Sequence, residues 1–354
     1  MISKMKSFLL GTAALVGGAQ ASVACTGISL MAADSSYVQA RTIEWAYGEL
    51  KSEYVIIPRG EKLQSYTPTG ANGLKFTARF GVVGLSVVEK EFIAEGINEM
   101  GLSAGLFFFP DYGDYVGYDA KQNATTLADL QVVQWLLTQF STIDELKAAV
   151  GSVRIVGLEP NAVVHWRIGE PSGRQVVMEI VGGKAHFYEN KVGVLTNAPG
   201  FEWHLANLSN YVNLRPGSAE NYNLGGVVLK PLGGSSAMRG LPGDFTSPSR
   251  FVRAAFFRNT APQLDDGLDT VLQAFHLLNN FDVPIVIEAP NEKNLPSATH
   301  WTSAIDLTAR TVYYKTAYNS TIRCIDLRDI DFTKAKYESF PLDKVQLEPI
   351  EYLY

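Results

Sequence analysis

The hydrophobic positions in the first third of the chain recur with the spacing of β-strands. Apolar runs at residues 26–32, 37–45 and 53–58 are separated by polar turns, and this pattern predicts three consecutive strands. The β pattern, rich in Phe, Val and Gly, continues over residues 76–109 around a turn at residues 98–101. This part of the chain is therefore predicted to be mostly sheet.

Helical spacing first occurs at residues 126–140, where apolar residues recur every three or four positions. Thr126 and Asp129 resemble a capping box, and Thr142 and Glu145 resemble another at the start of a second helix. The remaining pattern predicts strands at 161–166, 175–180, 185–188 and 193–197, helices at 201–212, 250–257 and 268–278, and closing strands at 301–307, 311–314 and 322–327.

This order of elements predicts an α+β fold. Strands and helices come in batches and do not alternate one for one, which argues against a doubly wound parallel sheet. Two mostly antiparallel sheets that pack on each other, with helices on their outer faces, fit the order better. No internal repeat and no long linker divides the chain, so residues 25–354 are predicted to form one domain.

Residues 1–24 have the pattern of a secretory signal peptide. Lys4 and Lys6 form a basic start, residues 8–16 are apolar, and Ser22-Val23-Ala24 is a small-x-small cleavage site. The apolar stretch is too short to span a bilayer, and no later run reaches the roughly 18 residues that a spanning helix requires. The sequence therefore predicts a protein exported to the periplasm or the medium.

Charge and composition restrict the partners. The net charge of −6, with no Lys/Arg run, argues against nucleic acid or an anionic membrane as the main partner, so a small molecule is expected. No glycine-rich loop ends in the Lys-Ser/Thr of a phosphate-binding loop. No cofactor and no metal are predicted, because none of the histidines has metal-ligand spacing and each is interpreted as a structural or surface residue: His165, His186, His204, His276 and His300.

Cys25, directly after the predicted cleavage site, has three interpretations. It can be an incidental boundary residue or the acylated cysteine of a lipoprotein, although Ser22 is not the aliphatic residue that lipidation expects and a strand follows at once. As an N-terminal nucleophile it would combine a thiol with an α-amino group whose reference pKa, about 7.7 to 8.0, suits proton transfer. A disulfide with Cys324 would consume this thiol.

A nucleophilic thiol requires positive charge nearby, and its amine requires a carboxylate. Arg41 and Glu44 lie on the next predicted strand and can fold back onto the first. Taken alone, these two residues are more typical of a surface ion pair at a strand end.

Six short motifs nevertheless occur together in order. They are Cys25-Thr26-Gly27, Arg41-Thr42-x-Glu44-Trp45, Ile57-Pro58-Arg59-Gly60, Gly96-x-Asn98-Glu99-x-Gly101-Leu102, Leu195-Thr196-Asn197-x-Pro199 and Ser247-x-Ser249-Arg250-Phe251. In order and spacing this set resembles the choloylglycine hydrolase family, which includes bile salt hydrolases and penicillin V acylases. The resemblance runs from Cys25 to at least Asp331.

The resemblance implies an N-terminal-nucleophile (Ntn) hydrolase fold with αββα layers and a dimer or tetramer as the assembly. It implies that Cys25 is the nucleophile, that Arg41 and Arg250 are its cationic neighbours, and that the Asn197 side chain is an oxyanion donor. Glu44 occupies the place where the family usually has an Asp beside the α-amino group.

The strand that contains Phe107 and Phe108 lacks the Asn or Tyr that the family often places near the oxyanion, so a backbone N–H is expected as the second donor. With Trp45, these rings predict an apolar acyl pocket, although half of such aromatics belong to the core. The leading hypothesis is an exported cysteine amidohydrolase acting on a conjugated bile salt, a phenoxyacetyl penicillin or an N-acyl homoserine lactone. The alternative is an inactive, lipid-anchored periplasmic binding protein with Cys25 acylated.

Overall fold

The computed structural model describes residues 25–45, 50–159, 163–284 and 298–354. The predicted signal peptide lies outside these residues. In chain order the strands are β1 Cys25–Met31, β2 Tyr37–Trp45, β3 Ser52–Ile57, β4 Lys62–Gln64, β5 Lys75–Thr77, β6 Val82–Val87, β7 Glu89–Asn98, β8 Ser103–Phe108, β9 Thr126–Ala128, β10 Arg154–Val156, β11 Val164–Gly169, β12 Gln175–Val181, β13 Lys184–Glu189, β14 Val194–Leu195, β15 Tyr222–Leu224, β16 Val227–Leu229, β17 Ala298–Asp306, β18 Thr311–Thr316, β19 Asn319–Asp326 and β20 Glu338–Pro341. The α-helices are α1 Val132–Gln139, α2 Ile143–Ala149, α3 Phe201–Leu208, α4 Ser247–Thr260 and α5 Gly267–Leu278.

Two large antiparallel sheets dominate the fold. Sheet A has six strands in the order β14-β1-β2-β17-β18-β19, and sheet B has eight in the order β13-β12-β11-β8-β7-β6-β3-β20. Within sheet A, β1 lies between β14 and β2 with Cys25 opposite Ile43. This register places the start of β1 beside the residues that follow β14 and those that end β2.

Helices cover the outer face of each sheet. Helices α4 and α5 pack on β1, β2 and β17 of sheet A, and α1 packs on β7 and β8 of sheet B. Apolar side chains make up most of the interior, as expected for stacked sheets with one face each toward the other. The αββα arrangement predicted from the sequence is confirmed.

The two sheets approach closely where sheet A has a glycine. A Cβ atom at Gly27 of β1 would lie 2.7 Å from the Phe107 ring of β8 and 2.9 Å from an Arg167 guanidinium nitrogen. Arg167, from β11, donates across the interface to the Ile28 carbonyl at 2.9 Å and the Ala40 carbonyl at 3.0 Å. Gly27 therefore leaves room for polar side chains between the sheets.

The first three predicted strands are confirmed to within one residue, and the Thr142 cap is confirmed, since its hydroxyl accepts from the Glu145 N–H at 3.2 Å. The helix predicted from Thr126 is wrong at its start. Residues Thr126–Ala128 form β9, which pairs in parallel with β10, and α1 begins only at Val132. A strand partner distant in sequence here overrides the local helical spacing.

The two cysteines are not bridged. Cys25 is buried in β1, whereas Cys324 is exposed on β19, with β2, β17 and β18 between those strands. Both thiols are free, so the thiol of Cys25 remains available for chemistry. Among the helices in the described ranges, none is long and apolar enough to cross a membrane.

Candidate active site

Cys25 opens β1 at the centre of a hydrogen-bonded cluster. It is 2% exposed, and its backbone nitrogen donates to the Asn197 Oδ1 atom at 2.9 Å. Asn197 follows β14, the neighbour of β1, by two residues. The sheet register thus brings together two residues that lie 172 positions apart in the sequence.

Arg250, in the first turns of α4, joins this cluster from the helical layer. One guanidinium nitrogen, Nη1, donates to the Cys25 carbonyl at 2.5 Å and to the Thr26 hydroxyl at 2.9 Å. The other, Nη2, donates to Asn197 Oδ1 at 2.7 Å. Because the side chain is 2% exposed, a single guanidinium fixes Cys25 and Asn197 relative to each other in a dry environment.

The Asn197 amide also reaches sheet B. Its Nδ2 donates to the Phe108 carbonyl at 2.9 Å, and its backbone nitrogen donates to the Ser247 hydroxyl at 3.0 Å. Asn197 therefore connects both sheets and the start of α4. Its role as an oxyanion donor stays a prediction.

Arg41 points from β2 into the space between the sheets. It donates to the Leu106 and Ala94 carbonyls, and its guanidinium carbon lies 4.1 Å above the centroid of the Phe107 ring. Its Nη2 atom is buried and has no hydrogen-bond partner among the described residues. The structure thus places a buried cation, supported by an aromatic ring, close to the start of β1.

Glu95 of β7 is a buried partner of this cation that the sequence motifs did not indicate. Its carboxylate lies 3.6 Å from Arg41 Nη1 and 2.9 Å from Arg167 Nη2. Since one carboxylate lies between two guanidiniums, one positive charge is left uncompensated among the side chains of Arg41, Arg167 and Glu95. A Cβ at Gly105, which lies opposite Glu95, would be 1.9 Å from the Glu95 carboxylate, so a glycine is needed there. The available signal in the sequence was a glycine inside a predicted strand, which often marks a close approach of another group.

The charges around the Cys25 thiol act in opposite directions. Burial raises its pKa above the ordinary value, and the Glu44 carboxyl group raises it further. Arg41 and Arg250 lower it, with Arg41 the stronger of the two. Formation of a thiolate at this position therefore depends on the two arginines.

Glu44, near the end of β2, is 1% exposed and accepts a hydrogen bond at 3.0 Å from the Thr299 hydroxyl of β17. Burial raises the pKa of its carboxyl group to about 7, against the opposing effect of Arg250. The Thr299 hydroxyl in turn accepts from the Val283 N–H at 2.9 Å, which fixes its direction. Glu44 thus lies close enough to influence Cys25, while its contact with the α-amino group stays a prediction.

We expect Glu44→Gln to change how stability depends on pH. The Glu44 carboxyl keeps its proton to about pH 7 in the folded chain but loses it near the ordinary glutamate pKa in the unfolded chain. The wild-type protein therefore loses stability relative to the variant as pH rises from about 4.5 to about 7. Melting temperatures at pH 5 and pH 8 measure this difference, with the exposed Glu220→Gln as control. An identical difference between wild type and Glu44→Gln at both pH values would contradict the expectation.

The three predicted aromatic residues differ in position. Phe107 is fully buried, and its ring supports Arg41, whereas Trp45 and Phe108 are partly exposed. The Phe108 carbonyl accepts from Asn197, so this residue borders the cluster through its backbone. Contact of any of the three with substrate stays a prediction.

Two buried histidines also contact the site, although the sequence interpretation placed them among structural or surface residues. The Nε2 atom of His165 lies at hydrogen-bond distance from the Thr196 carbonyl, and that of His204 from the Asn197 carbonyl, so the two rings contact the peptide groups on either side of Asn197. The sequence contained one signal for His204, since this polar residue lies on the apolar face of the helix predicted from residue 201, where burial is expected. Among the described residues no cluster of three potential metal ligands occurs.

Relatives of known activity resemble almost the whole chain. A bile salt hydrolase/transferase of Clostridium perfringens is 31% identical over 330 residues, which cover 90% of this chain and 97% of that protein. A penicillin V acylase of Pectobacterium atrosepticum is 24% identical over 94% of this chain and 89% of its own length.

The fold comparison agrees. The crystal structure of a conjugated bile acid hydrolase from Clostridium perfringens, with one cysteine replaced by alanine, matches with a TM-score of 0.80 at 29% identity and covers 93% of this chain and 100% of that chain. The family model for linear amide C–N hydrolases of the choloylglycine hydrolase family matches residues 25–339. The chain belongs to the choloylglycine hydrolase family and is a hydrolase of linear amide C–N bonds.

Proposed function

We propose that this hydrolase is exported, that cleavage after Ala24 makes Cys25 its first residue, and that Cys25 is the nucleophile. The observation that carries the proposal is the set of bonds around Cys25. Its nitrogen donates to Asn197, its carbonyl accepts from Arg250, and its thiol is free. Such fixation of both backbone groups holds the thiol in one place, and the family match begins at this same residue.

The position of Arg41 supports the same proposal. The solved variants of the Clostridium perfringens enzyme replace a cysteine by alanine and an arginine by leucine at positions 16 residues apart. Cys25 and Arg41 have the same separation. Arg41 is also the stronger of the two cations that lower the pKa of the Cys25 thiol.

In the proposed reaction the thiol transfers its proton to the α-amino group, and the thiolate attacks the amide carbonyl carbon. The resulting oxyanion is stabilised by the second N–H of the Asn197 amide, since the first donates to Phe108. Loss of such a donor typically costs about 3 kcal/mol of transition-state stabilisation. The α-amino group returns the proton to the leaving amine, and water then hydrolyses the thioester to release the acid.

The proposed substrates are N-acyl conjugates with an apolar acyl group. The relatives' names concern conjugated bile acids and penicillin V, and both are amides of an apolar acid. N-acyl homoserine lactones share the same bond and a similar acyl group. Small changes in pocket shape decide among such substrates.

Expression of the full chain in a bacterial host with an export pathway tests the proposal directly. We expect the intact mass of the purified protein to correspond to residues 25–354 with an unmodified N-terminal cysteine. kcat/KM is then measured on a glycine-conjugated bile salt, penicillin V and an N-acyl homoserine lactone. A diacylglyceryl adduct on Cys25 together with no turnover on the panel would instead support the lipid-anchored binding protein.

A further inference from the structure

Two buried imidazole rings hold the backbone that carries Asn197. His165, from β11, has its Nε2 atom 3.1 Å from the Thr196 carbonyl oxygen, and His204, from α3, has its Nε2 atom 2.9 Å from the Asn197 carbonyl oxygen. Both side chains are completely buried. The carbonyls of the successive residues Thr196 and Asn197 are thus each hydrogen-bonded to a histidine.

The hydrogen bond from His204 has a defined direction. Burial lowers the pKa of this ring to about 4, so the ring is neutral near pH 7 and carries one proton. Because a carbonyl oxygen can only accept, that proton is on Nε2 and His204 donates to Asn197. The Nδ1 atom is buried without a hydrogen-bond partner in the described part of the chain. The hydrogen bond to the Asn197 carbonyl is therefore the polar contact of this ring among the described residues.

Packing fixes the plane of the His204 ring. The ring lies parallel to that of Phe251, with centroids 4.4 Å apart and an interplanar angle of 8°. Phe251 follows Arg250 on α4, so the helix that supplies the guanidinium of the site also supplies the support for this imidazole. The donor is held in place before any substrate arrives.

Glu179 of β12 connects the two histidines, because it contacts His165 directly and also binds the start of α3, the helix that carries His204. Its Oε1 atom lies 3.3 Å from Nδ1 of His165 and accepts from the backbone nitrogen of Phe201 at 2.8 Å. Phe201 is the first residue of α3, which carries His204 one turn later. The contact of His165 with Thr196 and the position of α3 are therefore determined together.

We propose that His204 is a positioning residue, which acts on the reaction by holding Asn197, with His165 securing the carbonyl before it. His204 touches neither the thiol nor the nitrogen of Cys25. Its effect passes through Asn197, whose Oδ1 accepts from Cys25 and Arg250 and whose Nδ2 donates to Phe108. The inference rests on the proposed function, because that function gives Asn197 its catalytic role.

The test compares variants that keep or remove the donor. His204→Phe keeps the stack on Phe251 without an N–H, and His204→Gln supplies an amide N–H of similar reach. We expect His204→Phe to lower kcat by about 10- to 100-fold with KM changed by less than about threefold, since a misplacement of about 1 Å is known to have such effects. His204→Gln should restore kcat to within about threefold of wild type. His276→Phe, at an exposed site on α5, is the matched control and should behave as wild type.

Crystal structures of the same full-chain proteins give a readout that does not depend on the substrate. We expect Asn197 Oδ1 to leave hydrogen-bond distance of the Cys25 nitrogen in His204→Phe and to return in His204→Gln. If His204→Phe does not fold, His204→Met takes its place as the variant without a donor. A wild-type kcat in His204→Phe would overturn the proposal, and so would a kcat in His204→Gln as low as that in His204→Phe. A crystal structure of His204→Phe in which Asn197 has not moved would overturn it as well. A wild-type protein that hydrolyses no amide of the panel would refute the proposed function, while the structures would still decide the positioning role.

Discussion

Replacement of Cys25 by serine is expected to lower kcat by more than about 1,000-fold, and replacement by alanine is expected to abolish turnover. The serine hydroxyl is a much weaker acid than a thiol, and this buried site already opposes formation of an anion. Arg41 and Arg250 lower the pKa of the group at this position, but two nearby charges cannot compensate for that difference in acidity. Steady-state kinetics on the best amide of the substrate panel measures the effect.

Cys324→Ser is the matched control for this substitution. Cys324 is exposed on β19, at the far edge of sheet A, and should be replaceable without loss of activity. Intact mass must show that each variant has lost residues 1–24, because an unprocessed chain would be inactive for a different reason. Turnover by a correctly processed Cys25→Ala protein would refute the cysteine mechanism.

Much of the fold was readable from the sequence because its strands are bounded by clear turns. The hydrophobic pattern predicted the bounds of β1, β2 and β3 to within one residue. The order of strands and helices along the chain predicted two antiparallel sheets with helices on their outer faces. The pattern did not predict several short strands, among them β4, β10, β15, β16 and β20, and it assigned Thr126 to a helix although its strand pairs with residues near 155. A local pattern contains no information about a partner that far along the chain, and tertiary pairing decided the outcome.

The site was predictable only as a list of residues. Cys25, Asn197 and Arg250 came from motifs, and the structure brings their side chains and backbone into direct contact. Glu95 lies outside the reasoning from the motifs, and His204 was interpreted as a structural or surface residue, because a lone carboxylate in a strand and a histidine without metal-ligand spacing are ordinarily solvent-facing or structural. What distinguishes them is burial with a specific partner, which only the folded chain reveals.

We expect Arg250→Lys to lower kcat/KM by about 100-fold although the positive charge is kept. A lysine ammonium is a compact point charge and cannot reproduce the planar fork with which Arg250 binds the Cys25 carbonyl, the Thr26 hydroxyl and Asn197 Oδ1 together. The loss of that geometry frees Asn197 and the start of β1 from each other. If charge alone were needed to lower the pKa of the thiol, lysine would suffice.

Arg253→Lys separates the specific effect from the general cost of changing a buried arginine. Arg253 lies on the same helix, one turn further on, is 6% exposed, and donates to the carbonyls of Pro242 and Asp244 and not to the site. Both variants should lower the melting temperature, because each disturbs a buried guanidinium, but Arg253→Lys should keep kcat/KM within about threefold of wild type. Equal losses of activity in the two variants would mean that α4 contributes only stability. A loss confined to Arg250→Lys would show that the chain uses this guanidinium to align its nucleophile with Asn197.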